Sequence, residues 1–395
     1  MTRPLPIQNL QRVDLDPEIP FVLAGHIAQQ ERADAAHRFA QDASFLYLTG
    51  INEPNWTLIV DAGRSNLVMP PKDDVRELFD GGLSAVEATE LSGVDEVLSH
   101  EAGRELLQRL AATHAKIQAF GKDPRAAHYD FTLNQGPVKL HQWVKQNFKE
   151  VVDVRPAVYR ARAIKQPHEI AALRRAVEAT ARAFEEVKQG LAEKTHEYEL
   201  EAVFAHYFRT RNMDHAYAPI IAGGARACTL HYGKNEDELP ARGLVLMDVG
   251  ARNEYFSADI TRTYIRGEAS PRERAVHDAV RRAHEAIIAT IKPGVSFESY
   301  QNQSDDIMKE ALAALGLLQK ESDYRRYFPH AVSHGLGIDV HESLGGFDAF
   351  RPGMILTVEP GIYIPEEGIG VRLEDDILVT DRGNENLSAS LSLDL

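Results

Sequence analysis

Leu244-Val245-Leu246-Met247-Asp248-Val249-Gly250 and Tyr255-Phe256-Ser257-Ala258-Asp259-Ile260-Thr261-Arg262-Thr263-Tyr264 are the two runs on which the reading of this chain turns. Both are apolar and β-prone, and the polar link between them carries Gly250, Arg252, Asn253 and Glu254, so together they predict an antiparallel hairpin. Asp248 ends the first run and Asp259 opens the second, which places both carboxylates at the mouth of the hairpin. Aspartate is depleted in strands, and desolvating an unpaired carboxylate costs several kcal/mol. A positive partner is therefore expected there. Salt bridges to Arg252 or Arg262 are the plain alternative to anything functional.

Working outward, 395 residues exceed one ordinary domain, and the 44% apolar and 26% charged content is that of a soluble globular protein. No run of eighteen apolar residues occurs and the start lacks the apolar stretch of a signal peptide, so a cytoplasmic protein is expected. A net charge of −15 argues against nucleic acid or an anionic membrane as partner. The single Cys228 excludes an intramolecular disulfide and reads as a small buried hydrophobe.

An α/β N-terminal domain is expected over residues 1–158 and an α+β C-terminal domain over 159–395. In the first, strands are predicted at Phe45 to Thr49, Trp56 to Val60, Ser65 to Met69, Lys116 to Phe120 and Val151 to Val154. Helices are predicted at Ile27 to Phe39, Val75 to Asp80, Ala85 to Leu91, Glu101 to Thr113 and Pro137 to Asn147, with Pro70-Pro71 and Asp123-Pro124 as loops. In the second, helices Pro167 to Lys188 and His196 to Arg211 precede strands, and helices Pro271 to Lys292 and Ser296 to Leu315 precede strands again. The glycines closing the first helix of each pair, Gly190 and Gly294, lie 104 residues apart. A unit used twice suggests a pseudo-twofold repeat whose strands join one sheet, with a site at the seam.

Further polar residues stand where a core strand or tight loop would not want them. His330, His334 and His341 share a glycine-bearing loop; Glu359 interrupts the apolar strand Ile355 to Ile364; Arg372 and Glu374 share a face of the strand Gly370 to Val379; His231 precedes the aspartate hairpin. Singly, each reads as an edge residue, an ion pair or a structural histidine. Collectively, two aspartates, two glutamates and a histidine demand cations, and two divalent ions roughly 3.5 to 4 Å apart would neutralise them. Carboxylates with one imidazole suit Mn²⁺, Co²⁺ or Zn²⁺, and such a pair supports hydrolysis.

The aspartates eleven apart, Ser333-His334-Gly335-Leu336-Gly337 with His341 seven after His334, Thr357-Val358-Glu359-Pro360-Gly361-Ile362-Tyr363 and Gly370-Val371-Arg372-Leu373-Glu374-Asp375-Asp376 resemble the pita-bread dinuclear metallopeptidases. The resemblance is to the prolidase and aminopeptidase P branch, and Asp42 to Pro54 resembles that branch's amino-terminal, creatinase-like domain. It implies that Asp248, Asp259, His334, Glu359 and Glu374 hold two divalent ions, Mn²⁺ foremost, with Asp259 and Glu374 touching both and Glu359 moving the proton of the attacking water. It further implies that His231 and His341 hold substrate or stabilise the tetrahedral intermediate, that His330 lines a proline pocket, that Arg372 orients a ligand carboxylate and that Tyr363 lies beside Glu359. A homodimer and a small proline-containing peptide substrate are implied as partners.

Two features depart from the branch. Phe256 stands three residues before Asp259, where a tyrosine is common, and only fourteen residues separate Glu359 from Glu374. The shorter link favours an Xaa-Pro dipeptidase as the expectation, with an Xaa-Pro aminopeptidase acting on longer peptides as the alternative. A metal-free creatine-hydrolysing enzyme, a methionine aminopeptidase and a non-catalytic binding module on the same fold fit less well, since the full ligand set and a first domain are present.

Overall fold

A computed structural model of the chain describes residues 4–71, 73–123 and 130–395, so Pro124, expected in a loop, lies outside the described residues. The chain divides into two compact units, Met1–Arg162 and Ala163–Leu395.

The first unit is built on a six-stranded mixed sheet in the order Glu96–Leu98, Arg64–Val68, Thr57–Asp61, Phe21–Ala24, Lys116–Ala119, Glu150–Asp153. Leu106 and Leu110 of helix His100–Thr113 and Val144 of helix Gln135–Asn147 pack on Val22, Ile59, Val68 and Ile117 of that sheet. Two expectations fail here. Phe45 to Thr49 is not a strand but part of the helix Ala43–Thr49, capped by Asp42, whose side chain accepts from Ser44 and Phe45 N–H, and ended by Gly50 at φ 69°. Every residue of that helix is buried, and an all-round apolar run reads the same for a buried helix and a buried strand. Ile27 to Phe39 is not a helix: it holds the exposed hairpin Gln30–Arg32 with Ala35–Ala36, since its alanines offer no apolar stripe to bury.

In the second unit the repeat is visible. Helices Pro167–Gly190 and Glu197–Arg209 precede one set of antiparallel strands, and helices Pro271–Thr290 and Phe297–Ala314 precede another. Pro167 at the first helical turn and a capping box between Gln166 and Glu169 start the long helix. Its inward stripe, including Ala176, Val177, Thr180, Phe184 and Val187, follows the 3.6-residue period. Phe184 meets Phe204 edge to face with centroids 4.9 Å apart, a geometry worth about 0.5–1.5 kcal/mol beyond the area it buries.

The predicted hairpin is present. Gly243–Val249 pairs antiparallel with Ile260–Arg266, with Asp248 opposite Thr261 and Val249 opposite Ile260, while Ala251–Asn253 and Phe256–Ser257 form its tip. The two-residue period sends Val245, Met247, Val249, Ile260 and Tyr264 into the core under the helices. It sends Asp248, Asp259 and Thr261 to the other face.

Contrary to expectation, the repeat's strands form several short ladders rather than one sheet, and the two later strands are each broken. Ile355–Val358 pairs with Asp375–Val379, whereas Gly361–Ile364 pairs with Ile369–Arg372. The breaks fall at Glu359-Pro360 and Leu373-Glu374. Pro360 has no N–H to give to a ladder, so the chain changes partner there and Glu359 is left outside both pairings. The halves meet where Glu374 N–H donates to Thr261 O at 3.0 Å. Among the described residues no helix is long and apolar enough to cross a membrane.

Candidate metal centre

On the free face of the hairpin the acids converge. Glu374 Oε2 accepts from Thr261 Oγ1 at 2.6 Å, and one oxygen each of Asp259 and Glu374 and one ring nitrogen of His334 lie within 4.8 Å of one another. His334 Nε2 stands 3.4 Å from Asp259 Oδ2 and 3.5 Å from Glu359 Oε1, while its Nδ1 donates to Gly335 O at 3.0 Å. A histidine whose outer N–H is held by a backbone carbonyl, with the other nitrogen aimed at carboxylates, has the usual arrangement of a metal ligand.

The plain alternative for the aspartates does not hold. Arg262 lies on the opposite face, paired with Asp375 at 2.6 Å, and Arg252 donates to the Ala216 carbonyl. The guanidinium that meets Asp248 is Arg372: Nη2 donates to Asp248 Oδ2 at 2.5 Å, Nε to Thr261 Oγ1 at 3.1 Å and Nη1 to the Tyr363 hydroxyl at 3.0 Å. Arg372 thus joins Asp248, Thr261 and Tyr363 in one hydrogen-bonded group.

Four carboxylates thus face two cationic groups, Arg372 and His334, in a buried site, and the electrostatics register the shortfall. Burial pushes Glu359 up to about 7 against the pull of His334 and Arg372. Burial, with the charges of Asp259 and Glu359, pushes Glu374 well above the usual range, and burial raises Asp248 although Arg372 opposes it. Burial alone would lower His334, but its contact with Asp259 and the charge of Glu359 carry it up to about 9. Divalent cations fit this donor set: they would supply the missing positive charge to hard oxygen ligands and one imidazole.

The remaining candidates surround that cluster. All but Tyr363 line one cavity of about 80 Å³, to which Leu230 adds an apolar wall. His341 packs edge-on against His334 with ring centroids 4.4 Å apart, and burial lowers its pKa. His330 Nδ1 donates to Ala331 O at 2.7 Å, so its Nε2 accepts from the Tyr363 hydroxyl at 2.9 Å. Burial, then Arg372, holds His330 neutral, with its pKa down to about 3. Tyr363 stands behind the cavity, linking His330 to Arg372.

Sequence reasoning missed Tyr217. Its hydroxyl lies 2.6 Å from both Asp248 Oδ1 and Asp259 Oδ1, although one hydroxyl proton serves only one acceptor at a time. A tyrosine beside the second aspartate was sought at position 256; Phe256 instead packs against Leu173 and Leu336, and the hydroxyl comes from a segment 31 residues before Asp248. Nothing local in Ala216-Tyr217-Ala218-Pro219 marks it. Thr261 was legible, since it lies two residues from Asp259 on the same face of a strand.

The description Metallopeptidase family M24 matches residues 171–381, and that of the aminopeptidase P N-terminal domain matches residues 11–118. An Xaa-Pro aminopeptidase of Escherichia coli is 36% identical, covering 91% of this chain and 88% of its own length. One from Haemophilus influenzae is 31% identical, covering 95% and 91%. The solved aminopeptidase P of Escherichia coli aligns with a TM-score of 0.85 at 30% identity, over 99% of this chain and 96% of that one.

These findings overturn the dipeptidase expectation, since the relatives are named aminopeptidases and the first domain is of the aminopeptidase P type. The site gives a physical reason. Among the described residues lining the cavity the one arginine is Arg372, and its nitrogens are committed to Asp248, Thr261 and Tyr363 rather than offered to the free carboxylate of a dipeptide. The short link between Glu359 and Glu374 is spent on the hairpin Gly361–Ile364 with Ile369–Arg372, whose turn lines no part of the cavity, so its length does not report substrate length. With a buried acid-and-imidazole cluster at the seam of a doubled helix-and-strand unit, and with sequence matches over nearly its whole length, the chain belongs to metallopeptidase family M24.

Proposed function

We propose that this protein hydrolyses the peptide bond before a proline at position two of a peptide, releasing the N-terminal residue from chains longer than two residues. The observation that carries the hydrolytic reading is the gathering of Asp248, Asp259, Glu359, Glu374 and His334 around one cavity with too few cations to balance the acids. The named activity of the relatives and the aminopeptidase P N-terminal domain support the substrate.

In this reading Asp248, Asp259, His334, Glu359 and Glu374 would hold two divalent ions, Mn²⁺ foremost with Co²⁺ or Zn²⁺ as alternatives. When bound, such ions polarise the scissile carbonyl and bring the pKa of water toward about 7. Glu359, whose pKa burial raises to about 7, is in its ionised form a base matched to neutral pH: it takes the proton of the attacking water and returns it to the proline nitrogen as the C–N bond breaks. His231 and His341 donate hydrogen bonds where charge develops on the carbonyl oxygen. His330, held neutral with its edge fixed by Tyr363, offers a ring face to the proline ring. An Xaa-Pro bond has no amide hydrogen, so none of these roles needs one.

Turnover of an Xaa-Pro dipeptide compared with the same peptide extended at its carboxyl end tests the reading on metal-loaded protein. Faster cleavage of the longer peptide is expected; preference for the dipeptide would overturn it.

A further inference from the structure

Glu197 is fully buried at the start of helix Glu197–Arg209, yet it touches nothing in the cavity. Its two oxygens collect four donors from one stretch of chain. Oε1 accepts from Gly223 N–H at 3.0 Å and Arg226 Nε at 2.7 Å; Oε2 accepts from the Tyr232 hydroxyl at 2.7 Å and Asp237 N–H at 3.2 Å. The backbone adds a contact in the same place, with Glu197 N–H donating to Asp237 O at 3.0 Å. Residues 223 to 237 therefore close on a single carboxylate, and His231 sits near the middle of that loop.

His231 lines the cavity but is itself exposed, and its neighbour Tyr232 is the residue bound to Glu197. The backbone that carries the imidazole is held at Glu197 through the adjacent Tyr232, and further along the loop at Asn235, whose side chain accepts from Ile221 N–H at 2.9 Å and donates to Pro219 O at 2.9 Å. We infer that Glu197, acting through Tyr232 and the loop ends, is a positioning residue for His231. The inference rests on the reading of His231 as a group that meets substrate. Removing this buried carboxylate strands the Gly223 and Asp237 N–H groups and leaves the Tyr232 hydroxyl to Asp237 Oδ2, 2.9 Å away, and Arg226 to Asp237 and Glu238 O, so the loop loses its buried anchor and His231 is freed to drift.

The mild variant is Tyr232→Phe, which deletes one O–H; Glu197→Gln is the stronger one. Each is made in the parent protein and in His231→Ala, with kcat/KM on an Xaa-Pro-Yaa peptide, metal content and the rate of trypsin cleavage after Lys234 as readouts. Lys234 lies in the loop with its side chain 75% exposed, so cleavage there reports loop order without reference to activity. Tyr232→Phe is expected to lower kcat/KM about tenfold in the parent and less than about twofold in His231→Ala, with metal content unchanged and cleavage after Lys234 accelerated. An equal loss in both backgrounds, or no loss in the parent, overturns the inference. Unchanged kcat/KM in His231→Ala overturns the role of His231 instead, and the trypsin rate then shows separately whether Glu197 holds the loop.

Discussion

Glu359 and His334 carry the residue-scale consequence of crowding acids in a buried site. Both have folded-state pKa values above their unfolded ones, Glu359 at about 7 against 4.5 and His334 at about 9 against 6.5. At these two groups the folded metal-free protein holds more protons than the unfolded chain, so the stability they contribute falls as pH rises, through Glu359 between 4.5 and about 7 and through His334 between 6.5 and about 9, while His330, lowered to about 3, and His277, lowered to about 4, contribute in the opposite sense. In calorimetry of chelator-treated protein, added Mn²⁺ should raise Tm more at pH 8 than at pH 5, because metal and proton compete for the same atoms. A Mn²⁺-induced rise in Tm that is no larger at pH 8 than at pH 5 would contradict the site. Substitution separates the roles. Asp259→Ala or Glu374→Ala should abolish activity together with bound metal, measured by elemental analysis. His341→Ala should keep the metal and lose about 10²-fold in kcat. Loss of both ions in His341→Ala would make it a ligand instead.

At the scale of elements, the hairpin was legible because apolar alternation and two misplaced aspartates coincide in one short stretch. What pattern could not show was where strands end. Ile355 to Ile364 reads as one strand, and only Pro360 hints that the chain changes partner at the glutamate. The buried helix Ala43–Thr49 was misread because it has no polar face to set its period. Tyr217 was invisible because its role depends on a register between distant strands, not on its neighbours. Gly250 ties these levels together: a Cβ there would lie 1.8 Å from Ala258 O and 3.0 Å from Tyr217 Cε1. Gly250→Ala must push apart the backbone that places Asp259 and the ring that bridges the aspartates. It should cost about 1–3 kcal/mol in chemical denaturation and weaken metal retention in parallel. Full metal content in a destabilised Gly250→Ala would show that the hairpin mouth tolerates the shift.

For the whole molecule, the family could be read from the sequence because hydrolysis needs particular atoms, and those atoms leave motifs. Substrate length could not, because it depends on which charges around the cavity are already spent. Each nitrogen of the Arg372 side chain already donates within the fold, to Thr261, Tyr363 and Asp248.

The doubled unit also divides the proposed ligands. Asp248 and Asp259 come from its first half, and His334, Glu359 and Glu374 from its second; the exposed link Gly267 to Ser270 is the chain's passage between them. Severed at that link, each fragment should be inert, and hydrolysis should return only on mixing, with a rate that tracks complex formation by light scattering. Activity in either piece alone would contradict the shared seam. Catalysis here is owned jointly: product formation from a split chain would count encounters between two halves that are each chemically mute.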